Sequence, residues 1–184
     1  TSARQKTIPV IDFEKNESLK GIDYLDVIYH AIVNKQVLSM KYRSFKARSA
    51  STFMFHPYLL KEYRNRWFVF GIRQGSSTLV NLALDRIHHL EIAKGETYKE
   101  NTLFDLTTFF DDLVGVTKNR GSKAEVVRFQ VNPQNAPYVE TKPLHKSQRI
   151  VERLKNGDII FEIKVVINQE LQREIFGFAG GIKE

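Results

Sequence analysis

From Val37 to Ala93 the apolar residues recur at every second position in five short runs: 37–45, 52–63, 66–73, 78–84 and 88–93. Turn-forming residues break them, at Arg48-Ser49-Ala50-Ser51, Arg64-Asn65 and Gln74-Gly75-Ser76-Ser77. A period of two over runs this short is the signature of strands, and strands so closely spaced pair antiparallel. Ahead of them, Ile22, Leu25, Ile28, Tyr29, Ile32 and Val33 fall on one face of a helix over 22–33, with Asp23 and Asp26 near its positive end. One helix followed by five such strands predicts a small SH3-like or Sm-like barrel.

The pattern restarts after a mixed stretch, 95–121, that reads as a short helix and connector. Residues 124–132 alternate like a strand, and 133–140 suit a short helix. Residues 145–154 and 158–167 read as strands joined by the hairpin signal Lys155-Asn156-Gly157, and 169–178 are helical through Leu171, Ile175 and Phe178. The order β-α-β-β-α is that of a ferredoxin-like domain lacking its last strand, with Gly180-Gly181-Ile182-Lys183-Glu184 as the turn toward it. The fold class expected is therefore α+β in two domains. The boundaries are an N-terminal linker at 1–21, a helix-plus-barrel domain at 22–98, a connector at 99–122 and a ferredoxin-like domain at 123–184.

Composition narrows the function. The 184 residues contain no cysteine, so a disulfide framework or thiolate metal site is impossible. No apolar h-region opens the chain, and no run reaches the roughly 18 apolar residues of a membrane span, which predicts a cytoplasmic protein with no membrane partner. The chain begins at Thr1 without methionine, consistent with a processed start or a piece of something longer. No phosphate-binding glycine loop, nucleophile elbow or carboxylate dyad is present, so no enzyme, cofactor or catalytic residue is expected. His88 and His89 are adjacent on a strand and face opposite ways, which argues against a metal site.

Charge is uneven. Between Lys35 and Leu90, ten Lys and Arg face two acids, a local charge of +8, whereas the rest of the chain sums to −1. A basic domain beside a neutral one points to an anionic ligand of the first, most simply phosphate. The candidates concentrate in RNRWFVFGIR, residues 64–73, where Arg64, Arg66 and Arg73 fence Trp67, Phe68 and Phe70. Alternation puts Trp67, Val69, Gly71 and Arg73 on one face and Phe68, Phe70 and Ile72 on the other. If the second set fills the barrel, Trp67 and Arg73 offer a stacking ring and a guanidinium across a bare glycine. Otherwise Trp67 packs under the helix and Arg73 is solvated. Tyr42, Arg43, His56 and Tyr58 lie on neighbouring strands and can complete a pocket. Arg86 is a better ligand candidate than Asp85, whose simplest role is to cap or pair at a strand end.

Two segments carry a family resemblance: His56-Pro57-Tyr58-Leu59-Leu60 running on to Trp67-Phe68-Val69, and Leu82-Ala83-Leu84-Asp85-Arg86-Ile87. Together they resemble a WYL domain, with Trp67-Phe68-Val69 in place of the namesake tripeptide and Pro57, Asp85 and Ile87 as motif positions. Residues 136–139, Ala-Pro-Tyr-Val, and the order of the second half resemble the extension domain that follows WYL domains. The resemblance implies the effector-sensing and oligomerisation part of a bacterial transcription regulator, its effector a nucleotide or single-stranded nucleic acid. It also implies that contact with duplex DNA runs only through a missing N-terminal winged helix-turn-helix, and a homodimer is expected from the sheet edge that the missing last strand leaves and from operators read by two-fold partners. Where the family often has arginine, five and two residues before Asp85, this chain has Val80 and Ala83. The alternative class is a stand-alone module for single-stranded nucleic acid without regulatory coupling. In either case no recognition helix precedes Ile22, so mobility shifts at physiological salt are expected to show no preference for one duplex over shuffled controls. Discrimination between them would contradict this reading.

Overall fold

The computed structural model of the protein describes residues 21–102, 104–178 and 182–183. It is an α+β structure with two antiparallel sheets. A 3-10 turn at Ile22–Tyr24 leads into α1 (Leu25–Val33), which buries Ile28 and Ala31 completely and turns Tyr29 and Val33 outward. The linker expected at 1–21 lies, apart from Gly21, outside the described residues.

The first sheet holds β1 (Leu38–Tyr42), β2 (Ser51–Tyr63), β3 (Arg66–Arg73), β4 (Val80–Ala83) and β5 (Ile87–Ile92), in the order β4-β3-β2-β1-β5. Among the described residues the end strands β4 and β5 do not pair, so the sheet is open where a closed barrel is expected from the strand count. The reason lies in the chain between them. The 3-10 turn Leu84–Arg86 carries it directly from β4 to β5, and Leu82, Leu84, Ile87 and Leu90 all point into one core with Leu38, Met40, Phe55, Ile28 and Ala31. Side chains rather than a ladder fill the gap.

β3 is buried on both faces. Val69 lies in the core beneath α1 with Trp67 packed against it, whereas Phe70 faces away and meets Phe109 and Phe110 edge-on, with ring centroids 6.2 and 5.1 Å apart. Those two rings belong to the connector. The short helix expected there does not form, and residues 106–112 run as turns. Asp105 accepts from the backbone and hydroxyl of Thr107 and from the Thr108 hydroxyl, offering this stretch an alternative to a helical ladder.

The second sheet holds β6 (Glu125–Val131), β7 (Arg149–Arg153), β8 (Ile159–Val165) and β9 (Ile182–Lys183), in the order β7-β8-β6-β9, with α2 (Ala136–Thr141) and α3 (Gln169–Phe176) between strands. The last strand, expected to be missing, is present as a two-residue stub: Ile182 pairs with Val131 and Lys183 with Gln130. Of the turn expected at 180–184, Ile182 and Lys183 are that strand, and the other three residues lie outside the described ones. Phe129 stacks on Phe161 at 5.7 Å in a core shared with Val131, Val139, Ile163 and Leu171. On the opposite face Glu162 accepts from Arg128 on one side and Arg149 on the other, and these bonds hold its carboxyl below the ordinary range. Asn168 caps α3 by accepting from the Leu171 N–H, and its amide donates to the carbonyls of Val114 and Thr117, tying the helix to the connector.

At Gly71, β2 lies close against β3. A Cβ there would lie 2.1 Å from the His56 carbonyl oxygen and 2.7 Å from the Phe55 ring. Gly71→Ala is therefore expected to lower unfolding free energy by about 2–3 kcal/mol, read as a shifted urea midpoint with an unchanged slope. An unchanged midpoint would contradict that close approach.

Candidate anion-binding surface

The structure divides the sequence candidates into three places. The first is the β2 bulge. Pro57 has no N–H to donate, and the register shifts between Pro57 and Leu59, leaving Tyr58 out of the ladder. Residues 98–99 cover this defect: Tyr98 Oη donates to the Pro57 carbonyl at 2.6 Å, Tyr58 Oη to the Lys99 carbonyl at 3.0 Å, and the Lys99 N–H to His56 Nδ1 at 3.1 Å. Burial, with the nearby Lys99 charge, lowers the His56 pKa, and burial raises those of Tyr58 and Tyr98. His56 and Tyr58 thus fasten a strap onto the sheet.

The second place is the β2–β3 hairpin. Arg64 and Asn65 both adopt positive φ, 51° and 57°, making a two-residue turn whose Asn65 N–H is accepted by Glu62. Arg64 pairs with Glu174 of α3, which also accepts from Tyr63 Oη at 2.9 Å. Burial, together with that bond, pushes the Tyr63 pKa up to about 12. Arg64 therefore serves the contact between the two halves.

The third place is the turn after β4, where charge and aromatic surface converge. Arg86 lies with its guanidinium carbon 3.8 Å from the Phe45 ring centre, a cation–π contact, and Phe45 itself is 77% exposed. On its inner side Arg86 lies near the buried Tyr42 hydroxyl; burial raises the Tyr42 pKa and the Arg86 charge pulls against it. The Arg43 N–H donates to the Arg86 carbonyl at 3.2 Å, and Arg66 reaches Asp85 at 3.5 Å. Arg86 Nε and Asp85 Oδ1 are buried without a hydrogen-bond partner. Among the described residues Lys41, Arg43, Lys46 and Arg48 make no ion pair. Tyr42, Arg43, Arg66, Asp85 and Arg86 are thus brought together, and Phe45 joins them although sequence reasoning did not select it. Its signal was present: the one phenylalanine in the basic stretch from Lys41 to Arg48.

Trp67 and Arg73 are not brought together. They share a face of β3 but stand six residues apart, about 20 Å along a strand. Trp67 packs on the core, while Arg73 lies 4.0 Å over Phe53 at the far end. Phe68 is half-buried on the connector side and Val69 fully buried. Gly71 backs onto β2 and offers no bare platform. Ile87 is in the core. Val80 packs against that core and Ala83 is buried opposite Phe68, so both positions contribute apolar contacts.

The frame is a helix across an open five-stranded antiparallel sheet, with a Leu-Asp-Arg turn over the core. Residues 23–92 match the WYL domain family model, and the chain carries a WYL domain there. Among solved structures it is similar to proteasome accessory factor B/C (PafBC) of Arthrobacter aurescens, at 16% identity and a TM-score of 0.39, over 88% of this chain and 24% of that one. The chain spans about a quarter of that protein's length. No curated protein matches it. Among the described residues no helix is long and apolar enough to cross a membrane.

Because His56 accepts at Nδ1 and is held neutral by burial, the unfolded chain binds a proton more readily than the folded one. Stability is accordingly expected to be constant above the ordinary imidazole value of 6.5 and to fall as pH drops below it. His145, also lowered by burial, adds to the same trend. Urea titrations across pH 5–8 should show a smaller loss for His56→Gln than for the parent, and an identical pH profile would contradict the strap contact.

Proposed function

We propose that the WYL domain is the effector-sensing part of a transcription regulator and takes a nucleotide or single-stranded nucleic acid on the Arg43–Phe45–Arg86 surface. The observation that carries this is the Arg86 guanidinium held between the buried Tyr42 and the exposed Phe45, with its Nε unpartnered beside unpaired Arg43. A base stacks on the outward face of Phe45 while phosphates meet Arg43, Arg86 and the neighbouring Lys41, Lys46 and Arg48. That pairing of ring and guanidinium is how single strands are gripped without sequence readout. Arg66 is partly neutralised by Asp85, and Trp67 supports the sheet beneath.

The finer architecture belongs to the same proposal. Residues 22–98 are an open variant of the Sm-like barrel, and 123–184 a ferredoxin-like extension domain, for which the strand order β7-β8-β6-β9 is the support. Residues 99–122 join them. The second domain serves dimerisation or relay, the protein works in the cytoplasm without catalysis, and duplex DNA is met through a winged helix-turn-helix outside this sequence.

Phe45 and Arg43 are exposed, so their replacement leaves folding nearly unchanged, within about 0.5 kcal/mol. In fluorescence anisotropy with a short oligothymidylate, Phe45→Ala is expected to cost about 1–3 kcal/mol of binding. Arg43→Ala should reduce the slope of log affinity against log salt by roughly 0.7. Trp67→Ala should instead lower stability. Unchanged binding in both surface variants would overturn the assignment. Binding that is intact but never alters a second site in the full-length protein would favour the stand-alone module.

A further inference from the structure

We propose that the molecule has a second ligand site, separate from the Arg86 surface, that takes a planar organic anion in the cleft between the β3–β4 loop and the connector. The cleft has a volume of about 560 Å³, within the range of small-molecule sites. Leu79, Phe104 and Phe109 give it an apolar floor, Thr78 lies at one wall, and Lys118 and Arg120 supply two cations; its lining contains no carboxylate. That composition, aromatic surface with convergent positive charge, selects a flat apolar body bearing a carboxylate, sulfonate or phosphate.

The two cations differ in readiness. Lys118 is already held by both oxygens of Asp112, at 2.7 and 2.9 Å, and lies 5.3 Å from the Phe109 ring, so it forms a fixed part of the wall. Arg120 is exposed and, among the described residues, makes no ion pair, so it is the group that meets the ligand's charge. It sits in a turn closed by the Ser122 N–H donating to the Asn119 carbonyl at 3.1 Å, with Gly121 at φ 81° and open space where a Cβ would stand. The turn thus presents Arg120 without side-chain crowding behind it.

Occupancy of this cleft reaches both halves of the molecule. Phe109 packs on Phe70 of β3 and on Phe110, and Lys61 of β2 lies 4.3 Å over the Phe110 ring. Asn81 of β4 donates to the Val116 carbonyl at 2.9 Å just before Lys118. The same connector then reaches α3, where the Thr117 hydroxyl donates to Glu170 at 2.6 Å. A ligand wedged against Phe109 therefore bears on the piece of chain that joins the two sheets.

The test is amide chemical-shift mapping of the isotope-labelled 184-residue chain titrated with anilinonaphthalene sulfonate, an aryl anion with a planar naphthalene body. The expected result is saturable shifts centred on residues 77–79 and 118–122. Arg120→Glu should weaken binding about tenfold or more, and Arg43→Glu should leave it unchanged. Thr78→Trp, which fills the cleft from a loop, should abolish the shifts while the rest of the spectrum stays in place. Shifts centred elsewhere, or an Arg120→Glu variant that binds as the parent does, would overturn the proposal. A neutral anilinonaphthalene that binds as tightly would overturn its anionic part.

Discussion

The structure turns on a strand that is apolar on both faces. β3 carries Trp67 and Val69 toward α1 and Phe70 toward the opposite side, and an open sheet exposed to water on either would leave a large aromatic uncovered. Two covers are therefore required. The helix supplies one; Phe109 and Phe110 supply the other, and because they belong to the segment between the sheets, covering β3 also determines where the second half attaches. The ties that follow, Arg64 and Tyr63 to Glu174, Asn81 to Val116 and Asn168 to Val114 and Thr117, all lie along that line.

Strand ends are where such a buried strand can place charge. Arg66 and Arg73 stand at the two exits of β3, and each finds a local partner there, Asp85 for one and the Phe53 ring for the other. Arg86 differs because its turn lies over the core: Tyr42 approaches from within and Phe45 from without. The turn is tightly seated, since a Cβ on Gly21 would lie 2.4 Å from the Leu84 carbonyl carbon. A guanidinium fixed in this way loses little freedom on meeting a phosphate, which separates it from the exposed Lys41 and Lys46 around it.

Much of this fold was legible in the alternation itself. The helix, all five strands of the first sheet and the hairpin at Asn156-Gly157 lie within a few residues of where period and turn chemistry predict them. The connector was not legible, because Phe109 and Phe110 at adjacent positions fit a helix equally well and only the distant Phe70 decides otherwise. The last strand was missed because two residues are too few to show alternation. For the site, alternation gave the right face-sharing for Trp67 and Arg73 but not their separation, and it could not tell which face of β3 lies beneath α1. Of the residues expected to line one pocket, Tyr42, Arg43, Arg66 and Arg86 lie near one another, whereas His56, Tyr58 and Arg73 lie elsewhere. Phe45 was passed over because periodicity assigns it to a strand end, whereas β1 stops at Tyr42 and the ring folds back over a residue 41 positions later.

The central claim, that an anionic strand is gripped where Arg86 and Phe45 meet, is tested most directly by hydrogen–deuterium exchange with and without a short oligothymidylate. The expected result is protection of the backbone at 42–48 and 84–88 and no change at the β2–β3 hairpin or along the Trp67 stretch. Protection confined to 64–73, or none at 42–48 under saturating ligand, would contradict it.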